Sequence, residues 1–344
     1  MLEDNFDLLE QIANDSKILK NVYSQGPYWE KQVKNTFNEL KRLGLKDFRG
    51  ITSGAISSVG EENHVDVRST YNFGIRFFLL NVYRNLYPFN KFFNYQVEIT
   101  KYYFHEMVRF KTEYYKSQQR VNNLLSNYVL PLETTRGGCL NSGKINGRII
   151  SHYYIELLDT LDYIHQEVNI ENKKSFFEIG GGFGANTHLI IQNFPNIKKI
   201  IYLDLSPNLY IATQYLKSFY GKNVIDYSQN KKLDKIIFSD NEDLEIFCIL
   251  PYQIEKIFSE IDLFHNSKSF VEMPLSVVKN YSQQIERIIA KDDGRISLVS
   301  YDRFDLNTTF NPDLLPDFFP ARLFKKEIKP NLSLERTDFH FISK

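Results

Sequence analysis

The sequence predicts an α/β fold, a mostly parallel sheet with helices on both faces, preceded by a mainly helical segment. Strand-like and helix-like stretches alternate from residue 175 to residue 301, the pattern of repeated crossover units. A glycine cluster, Gly180-Gly181-Gly182-Phe183-Gly184, joins an apolar strand to a helix. A second strand, Lys199 to Asp204, ends in a carboxylate about 20 residues past the last glycine, a spacing suited to an acid on a ribose hydroxyl.

The elements follow in order. Between Tyr28 and Leu43, Val33, Phe37, Leu40 and Leu43 fall at helical spacing, and Gly44 supplies a stop. From Thr70 to Tyr87, Phe73, Phe77, Leu80 and Arg84 form one line before Pro88, and residues 91–116 continue in that style. Between these helices lies a small-residue loop, Gly50 to Gly60, followed by Glu61, Glu62, His64 and Asp66. Residues 131–148 form a second loop with four glycines and three cations, Arg136, Lys144 and Arg148. Its amides and cations suit a phosphate or carboxylate, as a lid, or a solvated connector. A helix from 149 to 168 buries Tyr154, Leu157, Leu158, Leu161 and Ile164.

Strands are expected at 175–179, 199–204, 245–250, 260–265 and 295–301, with helices at 185–194, 208–220, 251–259 and 274–290. Two further β segments, 322–329 and 334–342, complete a seven-stranded sheet. The chain therefore divides into an aromatic-rich helical region, 1–130, and an α/β domain, 131–344. No Pro/Ser-rich linker separates them, so the helical region should pack on the domain and help close its cleft.

Composition bounds the function. The 344 residues suit two units, and 42 basic residues balance 42 acidic ones. No global field draws nucleic acid or an acidic membrane to the surface. Two cysteines, Cys139 and Cys248, make neither a disulfide framework nor a metal cluster. That cysteine usage leads us to expect a reducing, cytoplasmic location, and from the acidic start and the lack of an 18-residue apolar run neither a signal peptide nor a membrane span is expected.

The glycine region is a nucleoside-cofactor site. Glycines at 180, 182 and 184 remove side chains where a ligand lies against the backbone. The following helix aims its N-terminal amides at the same place. Gly180-x-Gly182-x-x-Ala185 also satisfies a dinucleotide pattern. Glu178, two residues before the glycines, would repel a pyrophosphate and attract an ammonium.

Read as E-x-G-x-G-x-G, the stretch resembles the class I S-adenosylmethionine (SAM) methyltransferases and their Rossmann-like fold. That resemblance implies that Glu178 and the loop Gly180, Gly181, Gly182, Phe183 and Gly184 hold the methionine half. It puts Asp204, with Leu205 beside it, on the ribose. Leu250, ending the third strand, suits an adenine face, and Asn266 and Arg136 complete the candidate cofactor contacts. The segment Asp262-Leu-Phe-His-Asn-Ser-Lys-Ser-Phe-Val-Glu-Met273 narrows the resemblance to the sugar O-methyltransferase family of bacterial surface-polysaccharide gene clusters. Asp262, Leu263, Phe264, Asn266, Ser269, Phe270, Glu272 and Met273 match that family's form.

A sugar hydroxyl needs a base or a metal to become nucleophilic. His265 and Glu272, at or just after the fourth strand, are the candidate catalytic residues; either could instead be structural. His265 comes first because its ring titrates near neutral pH, although the family form does not require it. Asp262, at the strand's start, is expected to be structural. No sequence signature supports a Mg²⁺ requirement. Two other readings stand beside a SAM-dependent O-methyltransferase acting on a sugar or glycan. They are an NAD(P)-dependent oxidoreductase and a non-catalytic partner subunit of the same fold.

Overall fold

The computed structural model describes residues 2–17, 21–24, 26–46, 48–49, 73–94, 97, 117–139, 142–301, 309–330, 332 and 337–344. The Gly50–Gly60 loop, Glu61, Glu62, His64, Asp66 and most of 91–116 lie outside them. The N-terminal region contributes α1 (Phe6–Ser16), α2 (Pro27–Leu43), α3 (Phe73–Leu86) and α4 (Gln118–Asn127). Asn5 caps α1 by accepting from the Leu8 amide, and α2 starts with Pro27 in its first turn and stops at Gly44.

Residues 131–148 do not form a simple loop. A hairpin, β1 (Ser142–Ile145) and β2 (Arg148–Ser151), occupies their end. Its turn is Asn146-Gly147, with φ of 49° and 83°, the left-handed pair that a two-residue hairpin requires. Helix α5 consequently runs His152–Glu167 and begins three residues later than its periodicity suggests.

The α/β units follow as β3 (Ser175–Ile179), α6 (Ala185–Asn193), β4 (Lys199–Leu203), α7 (Ser206–Tyr220), β5 (Val224–Ile225) and α8 (Tyr227–Asn230). Then come β6 (Glu245–Ile249), β7 (Leu263–Ser267), α9 (Leu275–Ile288), β8 (Arg295–Tyr301), β9 (Phe324–Pro330) and β10 (Thr337–Ser343). Residues 251–256 are a 3₁₀ turn rather than the expected helix. The strands join in the order β5-β6-β4-β3-β7-β8-β10-β9, with β10 antiparallel to both neighbours and the β3–β8 core parallel. This is the Rossmann-like class I methyltransferase sheet, with the two-residue β5 added at one edge.

Side-chain alternation sorts the sheet's two faces. Phe176, Ile200, Ile246 and Leu263 pack with α5, α6 and α7, and with Leu8, Leu9, Ile12 and Leu40 of the N-terminal helices. Phe177, Ile201, Phe247 and Phe264 pack with α9 and with Tyr23. The N-terminal helices therefore share a core with the α/β unit. The chain leaves β3 toward β4 on one side and reaches β7 on the other, so the strand order switches between β3 and β7. A ligand crevice opens outside the carboxyl ends of the strands at such a switch.

At the opposite end, the Asp262 carboxylate accepts from the amides of Lys174 (2.7 Å) and Ser175 (3.0 Å), pinning the start of β3 to β7. Asp262 is structural, as its position at the strand's start implies. Asp262→Ala should lower unfolding stability by about 1–3 kcal/mol, read as a lower urea midpoint at unchanged slope. An unchanged midpoint would show that the two amides find other partners.

Candidate functional site

The crevice is built on the glycine loop. Gly180 and Gly182 have φ of 73° and 64°, which side chains resist. A Cβ on Gly180 would collide with the Ser269 side chain, and one on Gly181 would lie 2.5 Å from the Glu178 carboxyl carbon. Gly184, at φ 85°, is the N-cap of α6. Phe183 does not face the crevice. Its buried ring lies 5.5 Å from Phe48, 5.0 Å from Tyr215 and 4.5 Å from the Arg49 guanidinium.

Asp204 closes the loop. Its Oδ2 accepts the Gly182 amide at 3.1 Å and the Tyr202 hydroxyl at 3.0 Å, and its Oδ1 accepts the Leu205 amide at 2.7 Å. The same Tyr202 hydroxyl lies 2.7 Å from the Gly182 carbonyl, so its one proton is shared between the two acceptors. Burial pushes the Asp204 carboxyl up to about 7, against the pull of these donors. A carboxylate accepts about four hydrogen bonds, so Oδ1 keeps capacity for a ligand hydroxyl. Leu205 is half-buried at the start of α7.

Glu178 plays a different part from the one its sequence position suggests. Its carboxylate is buried and turned onto the first turn of α6, accepting from Asn186 Nδ2 at 2.9 Å and Thr187 Oγ1 at 2.6 Å. Burial raises its pKa. It steadies the helix whose amides face the crevice, and it does not present a charge to a ligand's ammonium.

Several other expected contacts are also spent inside the protein. Asn266 is buried; it donates to the Ile179 carbonyl at 2.9 Å and to Ser269 Oγ at 2.6 Å, and accepts the Phe270 amide at 3.1 Å. It fastens β7 to the end of β3. Leu250 is wholly buried in the core against α7 and forms no open wall. Arg136 is held elsewhere. Its guanidinium binds Ser218 Oγ at 2.7 Å and Glu133 at 2.8 Å and lies 3.8 Å over the Phe219 ring. Ser218 is near the far end of α7, about 18 Å of helix rise from Ser206 at the crevice.

His265 is not at a strand end. β7 begins at Leu263, so the ring sits mid-sheet, paired in register with Glu178 and Ser297. It is 2% exposed, its Nδ1 lies 3.2 Å from Ser297 Oγ, and burial lowers its pKa to about 4. A base sealed in the core reaches no substrate.

Glu272 is placed on the carboxyl-end side of the sheet. It lies beyond β7 in a 3₁₀ turn, 9% exposed, and its Oε2 accepts the Trp29 indole N–H at 2.9 Å. Its Oε1 accepts the Tyr301 hydroxyl at 3.3 Å. Trp29 belongs to α2, so the N-terminal region supplies one wall here. Lys268 sits at the end of β7 with φ 66°, its ammonium 3.2 Å from Asp338 and 5.4 Å from the Tyr301 ring. A left-handed lysine is strained, and such backbone gathers at functional sites.

Sequence reading did not single out Tyr202, Trp29, Tyr301 or Lys268. Tyr202 carried a signal, because residues two apart share a strand face and Asp204 lies two beyond it. The other three come together only through long-range packing.

The buried His265 gives a pH signature. Its folded pKa lies below the ordinary 6.5, so protonating it favours the unfolded chain. As pH falls from about 6.5 to 4 the wild type should lose stability relative to His265→Asn. Urea titrations across that window would show the two converge; parallel curves would place the ring in solvent.

No family model matches the chain, and no curated protein matches it. Solved structures do. The pyocyanin biosynthetic protein PhzM is 14% identical, with 52% of each chain covered and a TM-score of 0.37. Mitomycin 7-O-methyltransferase is 11% identical over 55% of this chain and 56% of its own, TM-score 0.36. Human N-acetylserotonin methyltransferase, solved with SAM, is 13% identical over 55% of each chain, TM-score 0.35. The match spans little more than half the length of each of these proteins. Likeness at these TM-scores carries no argument about this chain; its Rossmann-like, class I methyltransferase-type fold rests on the strand order alone.

Proposed function

We propose that the chain is a SAM-dependent methyltransferase acting on a hydroxyl group, that of a sugar or sugar-containing molecule in bacterial surface-polysaccharide biosynthesis. The observation that carries the reading is the buried Asp204 carboxylate, bonded to the Gly182 amide at the mouth of the switch-point crevice. Burial holds the carboxyl up at about 7 despite its three donors, and a ribose hydroxyl would supply a further one. The bare glycine backbone and the N-terminus of α6 fit the rest of a nucleoside ligand. Bound there, SAM would supply a sulfonium methyl as the electrophile.

The chain's own residues do the remainder. Asp204, Leu205 and the loop Gly180–Gly184 orient the cofactor. Glu272 takes the proton of the acceptor hydroxyl, its carboxylate held for that role by the Trp29 indole and the Tyr301 hydroxyl. The sugar acceptor rests on the resemblance of the 262–273 segment to the sugar O-methyltransferases.

Incubation with SAM and candidate nucleotide sugars should give a product heavier by one methyl group. S-adenosylhomocysteine should raise the melting temperature, whereas NADH should not. The reverse pattern would overturn the reading in favour of an oxidoreductase. Asp204→Asn should weaken SAM binding roughly 10- to 100-fold. Ligand hydroxyls favour the ionised carboxylate, so wild-type affinity should fall as pH drops below about 7. Calorimetry should find that slope absent in the variant. Glu272→Gln should cut kcat on the order of 100-fold or more while leaving SAM affinity unchanged; equal loss of both would make Glu272 a binding residue.

A further inference from the structure

Helix α2 is a beam laid across the carboxyl end of the sheet. Its first turn stands on the turn that follows β7. A Cβ on its N-cap, Gly26, would lie 2.5 Å from the Glu272 carbonyl oxygen, and Trp29 bonds the Glu272 side chain. Its far end is tied to α7. The Leu45 amide donates to Asp4 Oδ1 and the Asn5 amide to the Tyr210 hydroxyl, both at 2.9 Å. Leu40 lies in the core that holds Tyr210. Helix α7 starts beyond β4, and β3 lies between β4 and β7. The 17 residues of α2, about 25 Å of rise, therefore cross over the end of β3, where the glycine loop begins.

One face of α2 carries Trp29, Val33, Thr36, Phe37 and Leu40 at helical spacing. Phe37 packs against the core on the α7 side, so this face points inward. Its burial changes along its length. Leu40 and Thr36 are 0% and 1% exposed, whereas Val33 and Trp29 are only half-buried. The face is covered at its α7 end and keeps contact with solvent at its Glu272 end. Trp29 offers a flat apolar ring with one polar atom, and that N–H is turned to Glu272 Oε2. The bond fixes an apolar plate beside a carboxylate. A sugar ring has the complementary form, with C–H groups on its faces and hydroxyls around its edge. An indole takes the C–H face while a carboxylate takes an edge hydroxyl.

We propose, resting on the sugar O-methyltransferase reading above, that Trp29 binds the acceptor: its indole packs on the C–H face of the sugar whose hydroxyl meets Glu272. Helix α2 is then part of the acceptor subsite. Calorimetric titration of UDP-, GDP- and dTDP-linked hexoses into the full chain, with S-adenosylhomocysteine present, reads acceptor binding without turnover. Trp29→Leu should weaken the sugar on the order of tenfold or more while S-adenosylhomocysteine affinity stays unchanged. Trp29→Phe keeps an aromatic face and loses the N–H, so it should hold the sugar near wild-type affinity and lower kcat. In the wild type, ring currents should move the proton signals of one C–H face of the bound sugar upfield, a result that needs no variant. The proposal fails, with the sugar reading intact, if Trp29→Leu binds the sugar as tightly as the wild type or if a bound sugar shows no upfield shift. Equal loss of sugar and S-adenosylhomocysteine affinity in Trp29→Leu also overturns it, and assigns Trp29 to seating α2. If S-adenosylhomocysteine binds and no sugar does, the sugar reading falls and takes the proposal with it.

Discussion

The site depends on a buried carboxylate used as a joint. Asp204 ends one strand, yet its oxygens hold the amide of Gly182 in the loop after the neighbouring strand. Tyr202 braces both partners, its one hydroxyl proton shared between the carboxylate and the loop carbonyl. The loop cannot collapse into the crevice while those bonds stand, and the helix behind it keeps its direction. A buried carboxylate is costly unless donors surround it. The same bonds that shape the loop therefore keep an anion in the core.

Glu178 makes a parallel arrangement one strand away, with its donors drawn from the side chains of α6. The two acids divide the work. One sets the helix whose amides face the crevice, and the other sets the loop and keeps a free acceptor position. Around them, Arg49 binds the carbonyls of Thr134 (2.7 Å) and Arg136 (3.0 Å) and lies against Phe183. The N-terminal region is thereby fastened to the back of the glycine loop as well as to Glu272.

Much of this was legible in the residues. Strand alternation and the glycine cluster located β3, β4 and the crevice, because those patterns are local. Errors came where one residue of register or one distant partner decides the outcome. The fourth strand runs Leu263–Ser267 rather than 260–265, which moves His265 from the rim to the middle of the sheet. Asn146-Gly147 is a hairpin signal that the glycine-rich look of residues 131–148 concealed. Arg136 reads as a free cation, and only the packing of α7 shows it committed to Ser218 and Phe219. Asn266 matches a family pattern for a mechanical reason, since it ties two strands together at the switch point.

The bond between Trp29 and Glu272 has an optical consequence. The chain has a single tryptophan, so all indole emission originates beside that carboxylate. Quenching or a wavelength shift would report directly on whether α2 is seated at the crevice. The molecule thus carries its own fluorescent gauge of cap position, with no label needed.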